Sequence, residues 1–226
     1  MIRIVTIISV FTSLLFGLDV ESGGKLSREQ AAIDVKHYRI DIRVDPYKKT
    51  IIGKVDIVFE LLENINYVAI DLLNRYSVSG TSINSMQLSF KKEDNQIKID
   101  NPGLELFKDH LLTIKYGGKP PVAKNPPWDG GVTWSKDSEG FPWVSVSCQT
   151  NGAHIWFPCK EHPSDKANGA QIIITSPEQL TTVGNGLLVS KEKQKDRGIK
   201  WHWETKYPIS TYNINFAIGN FELVEK

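Results

Sequence analysis

Hydrophobic and polar residues alternate along most of the chain after residue 34. In the segment HYRIDIRVD (residues 37–45), Tyr38, Ile40 and Ile42 share one face and charged residues share the other, which is typical of a half-buried strand. Similar strand-like segments, separated by turn residues, recur at 54–61, 67–73, 76–83, 86–90, 96–99, 111–116, 143–149, 170–175, 181–189, 199–205, 212–218 and 221–224. We find no convincing long helix. The pattern predicts an all-β domain, an antiparallel β-sandwich or saddle of about a dozen strands.

Residues 117–131 interrupt this rhythm. They contain four prolines and end in WDGG. Proline cannot donate a hydrogen bond to a sheet, so the segment is predicted to cross the surface as an ordered loop. A loop that frames a cleft and a long connection pinned down by Trp128 explain the pattern equally well.

The N-terminus differs from the rest of the chain. Residues 1–22 combine an early Arg3 with a short apolar run from 4 to 18, which predicts a secretory signal peptide and a secreted or periplasmic location. An uncleaved membrane anchor is the alternative. Residues 23–33 are predicted to be a linker and residues 34–226 to be the β domain. No second apolar run occurs, so no membrane contact is expected beyond the signal segment.

The charge balance bears on the choice of partner. The 226 residues carry 27 basic and 26 acidic side chains, interspersed, for a net charge of +1. Because no basic stripe is present, nucleic acid is not expected as a partner. A chain of this length buries roughly 70% of its extended surface, enough for a substantial core.

Residues 143–165, WVSVSCQTNGAHIWFPCKEHPSD, hold both cysteines and two of the five histidines. Val144, Val146 and Cys148 lie on one face of a predicted strand. Gln149 ends the polar face just before a turn, where its amide could accept and donate hydrogen bonds. An ordinary surface glutamine explains this position equally well.

The two cysteines leave three alternatives open. Cys148 and Cys159 could form a disulfide in an exported chain, or remain buried free thiols. A zinc site with His154 and His162 is conceivable, but the spacing fits no common structural zinc pattern. No metal ligand is therefore assigned.

Three motifs in order, PPWDGG (126–131), CQ (148–149) and WFPCKEHPSD (156–165), resemble the N-terminal domain of the gluzincin aminopeptidases, the aminopeptidase N and leukotriene hydrolase family. The resemblance extends from about residue 34 to the end of the chain. It implies that Gln149 reaches into the active site of a zinc aminopeptidase, which removes N-terminal amino acids from peptides. There Gln149 would bind the α-amine of the substrate. Together with the predicted signal peptide, this describes an exported enzyme.

The family's catalytic motifs, HExxH and GxMEN, are absent from these residues, and Glu161-His162-Pro163 is the nearest approach to the first. The resemblance therefore implies that zinc is bound by a catalytic domain outside this chain. That domain and the N-terminus of a peptide substrate would be the partners, and the chain alone would be inactive. No GxSxG motif offers another mechanism. The alternative is a β-sandwich binding or interaction module unrelated to peptidolysis.

Overall fold

The computed structural model describes residues 23–222 and 224, and strands dominate this part of the chain. Its one α-helix among these residues is α1 (Arg28–Ala31), and short 3₁₀ turns occur at Ala153–Ile155 and Thr211–Asn213. The strands are β1 (Ile33–Asp45), β2 (Thr50–Leu61), β3 (Tyr67–Asp71), β4 (Ser77–Ile83), β5 (Met86–Leu88), β6 (Phe90–Glu93), β7 (Gln96–Asp100), β8 (Asp109–Gly118), β9 (Gly131–Lys136), β10 (Pro142–Ser147), β11 (Lys166–Ala167), β12 (Gly169–Pro177), β13 (Thr181–Gly184), β14 (Leu187–Lys193), β15 (Gly198–Thr205), β16 (Ile209–Ser210) and β17 (Phe216–Gly219). The signal-peptide prediction for residues 1–22 lies outside the described residues.

The strands form four sheets, which confirms the all-β prediction. The largest has eight strands in the order β14-β15-β12-β1-β2-β8-β4-β5. The others have the orders β13-β17-β10-β9, β3-β7-β6 and β11-β16. Among the named strands, all pairs are antiparallel except β1 and β12, which run parallel with Tyr38 opposite Ala170. A strand's alternation gives its buried face but not the direction of its partner, so this pair was not foreseen.

The buried faces of the sheets meet in one hydrophobic core. Tyr38 and Ile40 of β1 are buried, as the alternation predicts, and Ile57 of β2 is fully buried. The same cluster includes Ile97 of the three-stranded sheet and Ile218 of the four-stranded sheet. Burial of these apolar faces is the main favourable contribution to folding.

The segment predicted as a linker, residues 23–33, contains α1 and the first residue of β1. Ser27 and Gln30 form a capping box at the helix start, which satisfies backbone N–H groups that the first turn leaves without partners. Gln30 Nε2 also donates a hydrogen bond of 2.6 Å to Asp71 Oδ2 at the end of β3. The segment is therefore attached to the domain. Among the described residues, none of the helices has the length and apolar character needed to span a bilayer.

The structure corrects the predicted elements near the C-terminus. The strand predicted at 212–218 begins only at Phe216, because residues 211–213 form a 3₁₀ turn. Tyr212, expected on the buried face, is 43% exposed. Residues 221 and 222 are not in a strand, contrary to the prediction. The sequence pattern does not predict β9 (Gly131–Lys136), because the alternation of this strand begins directly at the WDGG turn residues and is masked by them.

Ile57→Ala should lower the free energy of unfolding by about 2–5 kcal/mol, because it leaves a cavity in the core. Ile52→Ala on the same strand is the matched control. Ile52 is 60% exposed, so its truncation should cost less than about 1 kcal/mol. Urea unfolding of both variants measures the difference, and equal effects would contradict the assigned faces of β2.

Candidate functional site

A tight turn after β10 presents Gln149 to solvent. Cys148 is buried and anchors the end of the strand, whereas Gln149 is exposed. Gly152 N donates to Cys148 O at 2.8 Å, and Asn151 N donates to Gln149 O at 2.8 Å. Thr150 and Gly152 have positive φ angles of 61° and 76°, which lets the chain reverse within a few residues. The turn fixes the backbone of Gln149.

Tyr212 fixes the side chain of Gln149. Its hydroxyl donates a hydrogen bond of 2.6 Å to Gln149 Oε1. The two residues meet because β10 and β17 are paired, with Val144 opposite Ile218, and Tyr212 lies in the 3₁₀ turn before β17. A carbonyl oxygen accepts two hydrogen bonds, so Gln149 Oε1 retains one acceptor site beyond the contact with Tyr212.

The loop of residues 120–131, hereafter the proline loop, is attached on both sides of Gln149. Ser147 Oγ donates to Pro127 O at 3.0 Å, and Gly130 N donates to Asn151 Oδ1 at 3.0 Å. A Cβ on Gly130 would lie 2.3 Å from Asn151 Oδ1, so the close approach requires glycine here. The proline loop therefore borders the turn that carries Gln149.

Internal hydrogen bonds hold the tip of the proline loop. The Asp129 carboxylate accepts from Lys124 N at 2.6 Å and from Asn125 N at 2.8 Å. Trp128 does not anchor this loop in the core, because it is 73% exposed. The interpretation in which Trp128 pins down a long connection is thus wrong. Polar contacts fix the loop.

Residues 153–165, hereafter the buried segment, follow the turn without belonging to a long strand. They cross the interior from 153 to 161, reach the surface at Pro163 and Ser164, and return to a buried position at Asp165. Buried tyrosines supply hydrogen-bond partners to its backbone. Tyr76 OH donates to Ile155 O at 2.6 Å, and Tyr116 OH donates to Trp156 O at 2.9 Å. Tyr38 OH accepts from Lys160 N at 3.1 Å. Cys159 also exchanges two backbone hydrogen bonds with Asp71 at the end of β3, and the tyrosine hydroxyls supply partners away from that bridge.

Lys160 and Asp165 form a buried ion pair within this segment. The Lys160 Nζ to Asp165 Oδ2 distance is 2.6 Å, and the two side chains are only 6% and 7% exposed. Lys160 Nζ also donates to Ile33 O at 2.6 Å. Lys160 therefore joins the buried segment to β1, which gives this charged residue a structural role.

Two carboxylates accept hydrogen bonds from backbone N–H groups of the buried segment. Glu161 Oε2 accepts from His154 N at 3.2 Å, and Asp71 Oδ2 accepts from Glu161 N at 2.9 Å. Burial raises the pKa of the Asp71 carboxyl, although the hydrogen bond from Glu161 N acts in the opposite direction. His162 Nδ1 lies 2.6 Å from Ser164 Oγ nearer the surface. The Gln149 side chain is thus hydrogen-bonded to Tyr212, whereas His154 and Lys160 are buried and His162 bonds to Ser164.

Both cysteines are buried free thiols, so the disulfide alternative is not formed. Burial raises the pKa of the Cys148 thiol to about 12 and that of Cys159 well above its usual range. Within residues 23–222 and 224, no group of three or more His, Cys, Asp or Glu side chains is placed to hold a metal ion. The conceivable zinc site with His154 and His162 is therefore not assembled.

Comparison of the sequence with known proteins identifies a matching family. A family model described as the peptidase M1 N-terminal domain matches residues 34–213. Human glutamyl aminopeptidase is 25% identical over 124 residues, which cover 52% of the chain and 12% of that protein. Leucyl aminopeptidase of Saccharolobus solfataricus is 21% identical over 140 residues, which cover 62% of the chain and 16% of that protein. The aligned regions span less than a fifth of either relative.

Solved structures share the fold. An M1 zinc metallopeptidase mutant from Deinococcus radiodurans, bound to a Tyr-Ser-Ala substrate, superposes with a TM-score of 0.70 at 20% identity, covering 83% of this chain and 42% of that one. Native leukotriene A4 hydrolase from Saccharomyces cerevisiae superposes with a TM-score of 0.66 at 20% identity. The match covers 91% of this chain and 31% of that one. At this identity the likeness concerns the fold.

Asp165→Ala should destabilise the domain by about 3–5 kcal/mol, because it leaves the Lys160 ammonium buried without its partner. Adding Lys160→Met should recover much of this loss. The control is Glu178→Ala, which removes the exposed ion pair with Lys193 and should cost less than about 1 kcal/mol. Urea unfolding measures all three, and an Asp165→Ala variant as stable as the control would contradict the structural role of the pair.

Proposed function

Because the chain belongs to the peptidase M1 N-terminal domain family, we propose that it is the N-terminal β domain of a zinc metalloaminopeptidase. In this proposal the domain forms one wall of the substrate cleft and recognises the free N-terminus of a peptide. The observation that carries the proposal is the exposed Gln149 amide, which the turn and Tyr212 hold in place. The substrate-bound Deinococcus radiodurans structure with the same fold supports a peptide as the ligand.

Recognition of the substrate follows from the chemistry of the amide. An aminopeptidase must distinguish a charged α-ammonium from an internal amide, and Gln149 Oε1 has one acceptor site left for an ammonium N–H. The Tyr212 hydroxyl donates to the same oxygen, so the oxygen, rather than the NH₂ group, faces Tyr212, and in this proposal the ammonium binds on that side. A hydrogen bond to a charged group contributes about 1.5–3 kcal/mol.

The described residues do not fit a zinc ion, since no suitable ligand group is assembled among them. In the proposed enzyme, zinc and the catalytic groups belong to residues outside this chain. The role of this domain is to bind and orient the substrate. Its further partner is the catalytic domain.

We also propose that the protein is exported, on the basis of the N-terminal pattern alone. Removal of the signal peptide should give a mature chain that starts between residues 18 and 23. N-terminal sequencing of the protein recovered from the periplasm or the medium tests this. A protein that stays in the cytoplasm with residues 1–22 intact would contradict export, and a membrane-bound protein that retains them would indicate an anchor.

The central test uses the complete reading frame that contains this chain. We expect it to encode HExxH beyond residue 226, and the purified product to contain zinc and to hydrolyse aminoacyl anilides. A reading frame without that motif, together with a product that shows no hydrolysis, would favour the alternative of a β-sandwich binding module.

In that full-length protein, Gln149→Ala should lower kcat/KM for free-amine substrates by roughly ten- to a hundred-fold. Gln149→Glu should retain or strengthen amine binding, because it places a negative charge opposite the ammonium. Tyr212→Phe should fall between wild type and Gln149→Ala, mainly through KM, because the amide stays but loses its fixed orientation. Steady-state kinetics with alanine and leucine anilides measures these effects.

The matched control is Gln87→Ala, which removes an exposed glutamine from β5 and should change kcat/KM by less than about two-fold. Unfolding curves confirm that each variant is folded. If Gln149→Ala and Gln149→Glu both match wild type, the assignment of Gln149 to the substrate site is wrong.

A further inference from the structure

Trp128 exposes an unusually large apolar surface at the tip of the proline loop. Its exposed fraction is 73%, compared with 37% for Trp143, while Trp156 and Trp201 are buried. An indole offers a broad, rigid apolar face together with one N–H donor, which makes tryptophan a frequent contact residue in binding sites.

Hydrogen bonds hold the backbone of the proline loop at Trp128. Trp128 N donates to Asn125 O at 2.9 Å. The carboxylate of the next residue, Asp129, accepts from the backbone N–H groups of Lys124 and Asn125. The exposure of the indole is thus not the result of a loose loop tip. A contact residue held in this way loses less conformational entropy when a ligand binds.

The loop also places Trp128 beside Gln149. The residue before Trp128 accepts a hydrogen bond from Ser147, two positions before Gln149. Gly130, two positions after Trp128, donates to the side chain of Asn151, two positions after Gln149. The segment that carries the indole and the turn that carries the amide are therefore joined at both ends.

The covalent structure of an amino acid links these two positions. The α-amine and the side chain of the first residue are attached to the same carbon atom. A ligand whose amine binds Gln149 therefore carries its first side chain close to the neighbouring wall of the site. That wall includes the proline loop, whose exposed apolar side chains are Val122 (56% exposed) and, nearer to the contacts with the Gln149 turn, Trp128 (73% exposed).

We propose that Trp128 determines specificity, its indole forming an apolar wall for the first side chain of the substrate. This inference rests on the proposed function and deepens it. It names the substrate class as peptides that begin with a large apolar or aromatic residue. A small first side chain does not contact the indole, so it gains no binding energy from Trp128.

The test compares Trp128→Ala and Trp128→Phe with wild type in the full-length protein, using phenylalanine and alanine anilides. Trp128→Ala should lower kcat/KM for the phenylalanine substrate about ten-fold, mainly through KM, and change the alanine substrate by less than about two-fold. Trp128→Phe should retain most of the preference. Tyr207→Ala, which removes another aromatic residue that is 78% exposed, is the control and should alter neither substrate.

Equal losses with both substrates, or no loss with either, would overturn the inference. Equal losses accompanied by weaker association of the two domains in a thermal unfolding scan would show that the indole packs on the catalytic domain instead. Gln149→Ala, assayed in parallel, separates the two proposals because it should affect both substrates alike. If Gln149→Ala lowers activity while Trp128→Ala does not discriminate, the proposed function stands and this inference fails. If the full-length protein hydrolyses neither substrate, both fail.

Discussion

The domain depends on how the backbone of the buried segment, residues 153–165, is hydrogen-bonded in the interior. A buried carbonyl or N–H group without a partner is costly, and this segment pairs with a strand only through the bridge between Cys159 and Asp71 of β3. The hydroxyls of Tyr38, Tyr76 and Tyr116 supply partners, and the first and last belong to the central strands β1 and β8. The segment is thereby fixed to the eight-stranded sheet. Gln149, four residues before its start, takes its position from the same framework.

The alternation of apolar residues was sufficient to predict the fold class, because burial on one face of a strand is a local property of the sequence. Pairing between distant strands is not local, so the parallel pair of β1 and β12 could not be read from either strand. Tyr212, the hydrogen-bond partner of Gln149, shows the same limit. Its spacing matched a buried face, yet a 3₁₀ turn places it at the surface beside Gln149. Only the pairing of β10 with β17 brings these residues together.

Charged residues in the WFPCKEHPSD motif illustrate a second limit. Lys160 lies beside glutamate and histidine in the sequence, a pattern that suits either a cleft or a solvated surface. The structure instead buries it against Asp165 and Ile33 O, and the latter is 127 residues away along the chain. The motif thus mostly maintains the fold, whereas the residues available to a ligand, Gln149 and Trp128, are exposed on either side of the same contact between turn and loop.

The parallel pair also sets the order of events during synthesis. Arg39 on β1 lies opposite Gln171 on β12, 132 residues later along the chain. One edge of β1 therefore has no partner strand until β12 has been synthesised. At ribosomal speeds this delay is on the order of 10 s. A hairpin of β1 and β2 formed during that interval has an open strand edge, and such edges are templates for aggregation. The pairing of β12 with β1 closes that edge, so the second half of the chain is what removes it.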